Sequence, residues 1–338
     1  MKNINSAIEE IISTLPPKQR RIVNGRFGLK NGTVETLQEI GDELKITRER
    51  VRQIESQAIK KIKEETKEKN KELLDFSKKH LLSSGGVRSD NDFVNDIISG
   101  LSIDSKTKNI KEKIKFILLV SGEPLYYKED DKMNAFWYSN QEAKKKFFDF
   151  VENMTKFLNG KNKKAILEDK LYINQCKNIV SCHFLSIPKH FGVNIFGDFG
   201  LKEWPEIEPK TIRDRVYLVL KKSGRPLHFT DIAKYSHKYG LDKKVPHIQT
   251  VHNELIKDKR FVLVGRGMYA LEEHGYEPGT VKEVLIKLLK KNGPQKANKI
   301  VELVNSQRFV KENTVILNLQ NKSLFKKLDD GRYGVKEA

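Results

Sequence analysis

The apolar residues of the segment 36–44 fall on one side of a helix. They recur at positions i, i+3 and i+7, as Leu37, Ile40 and Leu44. Thr36 stands three residues before Glu39, the spacing at which each side chain can cap the backbone N–H of the other. Gly41 lacks a Cβ, so another helix can approach closely there. We therefore predict a short helix that begins after Thr36 and packs tightly against a neighbour.

A second helix is predicted directly after Lys45 and Ile46, because Thr47 is well suited to cap its first turn. Its apolar positions form one stripe: Val51, Ile54, Ala58 and Ile62. If that stripe is buried, the outer face of the first turns carries Arg48, Glu49, Arg52 and Gln53. Two helices joined by so short a turn predict a helix-turn-helix.

An internal repeat lies near the end of the chain. Residues 250–271 align without gaps on residues 314–335, with five matched pairs: Thr250 and Thr314, Leu255 and Leu319, Phe261 and Phe325, Gly267 and Gly331, Tyr269 and Tyr333. Upstream, "LKKSG" at 220–224 matches "LKKNG" at 289–293. Each copy has helical segments followed by an apolar strand, a turn with glycine and a second strand. This pattern predicts two winged helices in tandem.

The remaining segments are less regular. Residues 60–80 predict a charged, exposed helix that ends in a flexible "SSGG" joint, and "LVSGEPLYY" at 119–127 echoes "KKSGRPLHF" at 221–229. The predicted fold is mainly α with small β-hairpin wings, an N-terminal helix-turn-helix plus tandem winged-helix domains. The predicted domains are the helix-turn-helix (1–64), a charged helical linker (65–110), a middle domain with a degenerate winged helix and an irregular lead-in (111–209), a winged helix (210–275) and its repeat (278–338).

Charge indicates the partner. Lysine and arginine outnumber aspartate and glutamate by 64 to 45, which gives a net charge of +19 and favours a polyanion such as double-stranded DNA. A lysine-rich surface that only maintains solubility is the alternative. Two cysteines do not build a disulfide framework, and neither a signal peptide nor a long apolar run is present. We expect a cytoplasmic, nucleoid-associated protein without a membrane segment.

The residue types on the predicted outer face suit the edges of base pairs. Arginine can bind guanine O6 and N7, glutamine can bind adenine, and glutamate can accept from cytosine N4. Residues 45–63 contain seven basic and two acidic side chains, so phosphates are also expected nearby. We expect phosphate contacts from Thr47, Arg50, Lys60 and Lys61. A solvated charged face on an ordinary helical hairpin is the alternative.

The segment 5–64 resembles region 4 of the bacterial housekeeping sigma factors, which reads the −35 promoter element. "RFGL", "TLQEIG" and "TRERVRQIE" carry the resemblance. It implies base contacts by Arg48, Glu49, Arg52 and Gln53, phosphate contacts by Arg26 and Thr36, and binding to the flap of RNA polymerase. The chain departs from the family at Lys45, where glycine is usual, and at Gln57, where a basic residue is common. Few residues precede the segment, so a stand-alone sigma factor is not expected.

"SGRPLHFTDIAKYSHKYG" resembles the HARE-HTH domain, a winged helix-turn-helix module also found in the delta subunit of bacterial RNA polymerase. The resemblance is carried by Gly224, Pro226, Leu227, His228 and Ile232. It implies association with nucleic acid or with polymerase. A winged helix that binds only protein is the alternative. We expect His228 and His237 to be structural.

Catalytic patterns are weak. Asp149 with Glu168, Asp169 and Lys170 has the order of a metal-dependent nuclease, but a chain this charged produces such triples by chance. The group Cys176, Cys182, His183 and His190 lacks the C-x2-C spacing of zinc sites, so buried free cysteines are expected. Neither a phosphate-binding glycine loop nor a Gly-x-Ser-x-Gly elbow is present. We expect no enzyme, cofactor, metal or small-molecule substrate.

The sequence therefore predicts a sequence-specific DNA-binding transcription regulator that reads a promoter-like element and has RNA polymerase as a second expected partner. Two alternatives stay open. One is an RNA polymerase accessory protein in which DNA specificity is secondary. The other is the DNA-targeting subunit of a defence or restriction system.

Overall fold

The computed structural model describes residues 4–160, 163–169, 173, 182–276 and 278–336. The chain divides into two compact units. Unit 1 consists of Met1–Gly192 and Phe199–Leu201, and unit 2 of Val193–Asp198 and Lys202–Ala338. The fold is mainly helical with small antiparallel sheets, as predicted.

The N-terminal module, residues 4–69, contains four helices: α1 (Ile4–Ser13), α2 (Pro17–Arg26), α3 (Leu37–Leu44) and α4 (Arg48–Lys69). α3 and α4 form the predicted helix-turn-helix. Thr36 and Glu39 make the capping box at the start of α3, and the Thr47 hydroxyl caps α4. A small apolar core joins the helices through Ile22, Ile40, Val51 and Ile54.

The turn between α3 and α4 is tight at two positions. A Cβ at Gly41 would lie 2.8 Å from the carbonyl oxygen of Ile46, so the close approach predicted at this glycine is present. Lys45 ends α3 in the left-handed region, with φ 55° and ψ 46°. A glycine would adopt that conformation without steric cost.

α4 continues well beyond the helix-turn-helix. It has 22 residues and is roughly 33 Å long at about 1.5 Å per residue. From its middle onward it buries Ala58 and Ile62 in a larger core that also includes α1 and residues as distant as Trp137. α4 therefore belongs to two hydrophobic cores.

The prediction of a charged helical linker over residues 65–110 is wrong, because the segment folds into packed elements. The segment forms the end of α4, then α5 (Lys71–Ser83), β1 (Val87–Ser89) and α6 (Asp90–Gly100). Leu73, Leu81 and Phe93 are fully buried in the larger core. The charges of α5 lie on its outer side, whereas Leu73, Leu74 and Leu81 share the inner side. The predicted joint at Gly85 and Gly86 is a turn between α5 and β1.

A winged helix lies inside unit 1. After α5, β1 and α6 come α7 (Ile110–Ser121), β2 (Leu125–Tyr127) and β3 (Phe136–Tyr138), with the strand order β1-β3-β2. We name residues 71–138 winged helix A. The echo at 119–127 covers the end of α7 and β2, whereas its counterpart in the repeat covers the first helix and first strand. Unit 1 thus contains a winged helix, but at 71–138 and not within 111–209 as predicted, and the sequence echo does not align equivalent elements.

The rest of unit 1 contains α8 (Gln141–Gly160), α9 (Lys163–Asp169), the 3-10 turn His183–Ser186 and the short strands β4 (Phe191–Val193) and β5 (Phe199–Leu201). Aromatic side chains dominate its packing. The rings of Phe136 and Phe147 lie 5.0 Å apart, and Phe184 packs edge-on at 5.4 Å from Phe147.

Unit 2 contains the two predicted winged helices. Winged helix B, residues 212–271, is built from α10 (Ile212–Ser223), β6 (Leu227–His228), α11 (Phe229–Lys238), α12 (Ile248–Lys257), β7 (Phe261–Gly265) and β8 (Met268–Leu271). Winged helix C, residues 281–335, is built from α13 (Val281–Asn292), α14 (Ala297–Asn305), α15 (Glu312–Leu319), β9 (Phe325–Lys327) and β10 (Tyr333–Val335).

The three winged helices share one register. The central strand places a tyrosine opposite the first strand in each: Tyr138 pairs with Val87, Tyr269 with Leu227, and Tyr333 with Gln295. The strand order of winged helix B, β6-β8-β7, repeats that of winged helix A. Three copies of one topology therefore follow the N-terminal module.

Winged helices B and C are joined by a contact that the sequence did not reveal. Arg308 is only 3% exposed and donates to the carbonyl oxygens of Leu263 and Gly279, the latter at 2.7 Å. The N–H of Phe309 donates to the carbonyl of Val264 at 2.6 Å. A Cβ at Gly265 would lie 2.7 Å from the carbonyl oxygen of Phe309, so only glycine allows this approach.

Candidate nucleic-acid interface

The candidate site is the outer face of the first two turns of α4. Val51 and Ile54 are buried, and the residues between and before them are turned outward. The four predicted base-contacting residues are all exposed: Arg48, Glu49, Arg52 and Gln53. The amphipathic pattern of α4 therefore places the predicted polar set on one accessible surface.

Glu49 and Arg52 form a two-point ion pair on this surface. Arg52 Nε and Nη2 donate to the two carboxylate oxygens of Glu49 at 2.9 and 2.7 Å. The hydrogen bond from Arg52 lowers the pKa of the Glu49 carboxyl, which favours the ionised form. An exposed pair of this kind contributes little to stability and exchanges partners at little cost. The pair places a hydrogen-bond acceptor, the Glu49 carboxylate, beside a two-pronged donor, the Arg52 guanidinium.

Gln53 is held by a different neighbour. Arg50 Nη1 donates to Gln53 Oε1 at 3.1 Å, so a predicted phosphate-contacting residue orients a predicted base-contacting residue. The side chain of Gln53 also hydrogen-bonds to the Glu49 carboxylate, so the four residues form one network. The amide nitrogen carries two N–H groups, and the second can still be donated to a base. Sequence spacing placed these residues on one surface but did not show which of them pair.

The two threonines predicted to contact phosphates cap helices. Thr36 Oγ1 accepts from the N–H of Glu39 at 3.1 Å, and Thr47 Oγ1 accepts from the N–H of Arg50 at 3.2 Å. In each case the hydroxyl proton can still be donated to an anion. The start of a helix also carries partial positive charge, which favours phosphate there.

Arg26 is more enclosed than expected for a phosphate-contacting residue. Its Nη1 donates to the carbonyl of Glu35 at 2.6 Å, and its Nε lies 3.3 Å from Glu55 Oε2. It therefore ties α2, the loop before α3 and α4 together. Any phosphate contact by Arg26 would be made in addition to these structural bonds.

Lys60 and Lys61 lie further along α4, and both are exposed. Lys60 is twelve residues from Arg48, roughly 18 Å along the helix at about 1.5 Å per residue. Because the major groove is about 12 Å wide, a helix that inserts its first turns brings Lys60 to the rim. Lys61 Nζ donates to the carbonyl of Thr14 at 3.2 Å and so also ties α4 to α1.

The helices of the winged helices that follow their second helix, α7, α12 and α15, are less suited to base contacts than α4. In winged helix A, α7 is buried along most of its length, including Ile114 and Phe116. The corresponding helices of B and C are more open, but Ile256 on α12 is 63% exposed and Leu317 on α15 is 66% exposed. Their outward faces otherwise carry mainly amides and hydroxyls. These helices lack the cluster of charges found on α4.

The side chains considered for metal or nuclease chemistry are scattered or lie outside the described residues. Glu168 and Asp169 are in α9, Asp149 is exposed on α8, and Lys170 and Cys176 lie outside the described residues. Cys182 is free and half-buried. Within the described ranges, His, Cys, Asp and Glu form no group of three or more that could hold a metal ion.

The histidines of winged helix B have structural partners. His228 Nδ1 lies 2.7 Å from Thr230 Oγ1 at the start of α11. His237 Nδ1 lies 3.1 Å from the carbonyl of Asp242. Among the helices that the structure describes, none is long and apolar enough to cross a membrane.

Residues 11–64 match the family model for region 4 of sigma-70. The N-terminal part of the chain is therefore a sigma-70 region 4 domain, which is a helix-turn-helix fold.

Similar proteins include RNA polymerase sigma factor SigA of Clostridium acetobutylicum, 42% identical over 67 residues, which are 20% of this chain and 18% of the relative. SigA of Lactococcus lactis subsp. cremoris is 38% identical over 73 residues, or 22% and 20% of the two chains. SigA1 of Synechococcus elongatus is 45% identical over 56 residues, or 17% and 14%. The chain spans about a fifth or less of the length of these relatives. The HARE-HTH resemblance stays a prediction.

Proposed function

We propose that this chain is a sequence-specific DNA-binding transcription regulator that reads a promoter-like element with α4. The observation that carries the proposal is a set of exposed polar side chains on the first turns of α4, the second helix of the helix-turn-helix in the region 4 domain. The set consists of Arg48, Glu49, Arg52 and Gln53. Contacts to base edges would give the sequence selectivity, and contacts to phosphates would supply most of the binding affinity. A protein bound to the chromosome works in the cytoplasm, at the nucleoid.

The opposite side of the N-terminal module supports the same orientation on DNA. Phe27 and Leu29 pack into the larger core, and the Phe27 ring meets the Phe116 ring of α7 edge-on at 5.1 Å. α7 and α1 cover the inner side of α4 at Ala58 and Ile62. The polar face of the first turns is the side of α4 that stays free for a large partner.

The winged helices would have a supporting role. With α7 buried, winged helix A holds α4 instead of reading a groove. On α12 and α15, winged helices B and C present mainly amides, hydroxyls and isolated apolar side chains. Such surfaces suit contacts to a protein partner or to the DNA backbone better than sequence-specific contacts to bases.

Selection of bound duplexes from a random pool tests the proposal directly. The full chain at moderate salt should enrich one sequence family, and the Arg48→Ala/Gln53→Ala double variant should not. Equal recovery of all sequences by the unmodified chain would refute sequence-specific reading.

A second candidate is an accessory protein that binds RNA polymerase. It is favoured by the names of the relatives, which are RNA polymerase sigma factors. If this is the main function, polymerase should co-purify with the chain, and the Arg48→Ala/Gln53→Ala variant should retain it undiminished. Binding to the flap is the finer form of this candidate, and a flap deletion in the polymerase would test it.

A further inference from the structure

A cleft in unit 1 lies away from the DNA-facing side of α4. It is bounded by α1, by α2 with the segment that follows it, and by the start of α7, and its volume is about 510 Å³. Four cationic side chains line it: Arg20, Lys30, Lys108 and Lys113. Glu9 is the one carboxylate in its lining. An adjoining cavity of about 320 Å³ shares Arg20, Asn24 and Lys30.

These four cations differ from two arginines on α2, which form ion pairs. Arg21 pairs with Glu35 and Glu43, and Arg26 pairs with Glu55. By contrast, Arg20, Lys30, Lys108 and Lys113 form no ion pair within 4.0 Å with any carboxylate of the residues that the structure describes. The cleft is therefore a concentration of uncompensated positive charge.

Two of the cations are held in place by the protein. Lys113 Nζ donates to Asn5 Oδ1 at 2.6 Å and to the carbonyl of Lys108 at 2.9 Å. Burial lowers the pKa of Lys113, and the charge of Lys108 lowers it further, while Glu9 acts in the opposite sense. The ammonium is thus kept close to another cation at an electrostatic cost that an anion would offset.

Arg20 is similarly positioned. Its Nη2 donates to the carbonyls of Ser13 and Leu15 at 2.8 and 3.2 Å. Its buried Nε–H has no acceptor among the described residues. Arg20 therefore holds a fixed position on the wall of the cleft. Because its Nε is closed off from solvent, an anion would meet the Nη groups, which share the delocalised charge of the guanidinium.

We propose that this cleft binds a small phosphate-bearing molecule of nucleotide size. Four cations match the charge of a di- or triphosphate, and the volume lies within the roughly 300–1,000 Å³ usual for small-molecule sites. Ile8, Ile12 and Leu29 provide an apolar lining, and Asn24 an amide, where a nucleoside can lie. A single inorganic phosphate would leave most of the space unfilled.

The location suggests what such a ligand would do. The cleft lies where α1 and α2 meet α7, and α7 packs against α4. A ligand that bridges Arg20 and Lys113 would tighten this junction. Its binding does not depend on the proposed function, but any effect on DNA affinity does.

Calorimetric titration of the full chain with ATP and GTP, at about 0.15 M salt, tests the proposal. Binding is expected, and Lys113→Gln and Lys30→Gln should each weaken it by roughly tenfold, the loss of one charge-assisted contact. Lys111→Gln is the matched control, since Lys111 is exposed on the same helix and does not line the cleft. Unchanged thermal unfolding of Lys30→Gln would show that folding is not the cause.

Three results would overturn the proposal. The first is the absence of binding by either nucleotide at millimolar concentration. The second is an equal loss in Lys111→Gln and Lys113→Gln, which would indicate unspecific charge. The third is equal affinity for inorganic triphosphate and ATP, which would show that the nucleoside does not contribute to binding. If nucleotides do not bind and Lys30→Gln weakens binding to duplexes of every sequence, the cations belong to a DNA-backbone surface instead.

Discussion

Lys45 adopts an unfavourable backbone conformation without disturbing the fold. Its left-handed conformation costs a residue with a Cβ about 1–2 kcal/mol, and the turn between α3 and α4 still forms because helix caps and the core around Ile40 and Val51 determine it. The neighbours of Lys45 thus accommodate its left-handed backbone conformation.

Replacing Lys45 with glycine should therefore stabilise the protein. We expect Lys45→Gly to raise the free energy of unfolding by about 1 kcal/mol, since relief of the strained φ outweighs the added freedom of the unfolded chain. Urea unfolding measures this. Lys60→Gly, on an exposed position inside α4, is the control and should lower stability by about 1 kcal/mol. A Lys45→Gly variant that is as destabilised as the control would contradict the interpretation.

The exposed side chains of α4 make a separate prediction about selectivity. Arg52→Ala should weaken binding to the selected sequence by roughly ten- to a hundredfold and leave binding to random duplex almost unchanged. The Lys60→Ala/Lys61→Ala variant should weaken binding to all sequences alike and reduce the salt dependence. Competition binding at several salt concentrations separates the two effects. Lys67→Ala, whose ammonium lies 3.5 Å from Glu64, serves as the control.

Among the elements, α7 and its counterparts α12 and α15 occupy the same place in a winged helix but differ in whether they are buried. In winged helices B and C the corresponding helices expose a long face to solvent. In winged helix A the same element carries Ile110, Ile114, Ile117 and Leu118 in the core shared with α4. Its richness in large apolar residues, "IKFILLV", is visible in the sequence, but the partner that it buries against is not.

Truncating α7 in its core should destabilise the N-terminal module together with winged helix A. We expect Ile114→Ala to lower the free energy of unfolding of unit 1 by about 2–5 kcal/mol, because Ile114 is fully buried. Ile256→Ala on α12 is the matched control and should change stability by less than about 0.5 kcal/mol. Amide exchange should show faster opening at α3 and α4 in Ile114→Ala. Faster exchange in α5–α7 alone would mean that the two cores are not coupled.

The predictions at the element scale succeeded where the signal is local. Caps and apolar periodicity located α3 and α4, and the alignment of the chain on itself located the tandem repeat in unit 2. The winged helix in unit 1 was not recognised in its correct register because its strands are three residues each and α5 is highly charged. For the candidate site, periodicity predicted which side chains are exposed. It did not predict that Arg26 is tied to Glu35 and Glu55, because those bonds depend on how α2 and α4 meet.

For the whole molecule, Arg308 is the residue whose importance is least visible in the sequence. It donates to the carbonyl of Leu263 in winged helix B and to that of Gly279 in the segment between B and C, and its removal would leave these acceptors without their donor. Arg308→Met should lower the stability of unit 2 by roughly 3 kcal/mol, measured by thermal or urea unfolding of the full chain. Arg332→Met is the control, because Arg332 pairs with Asp330 at the surface. Equal stability of the two variants would show that the contact between winged helices B and C contributes little to the free energy of unfolding.

The amino-acid sequence by itself determined the helices, the helix-turn-helix, the repeat and the polar face of α4, because caps, turns and periodicity act over a few neighbouring residues. Only the tertiary structure decided that residues 65–110 are core instead of linker, that α7 covers the inner side of α4, and that unpaired cations from three separate segments meet in one cleft. Those features depend on residues far apart in the chain, and the burial that creates them is a property of the packed molecule and not of any local pattern.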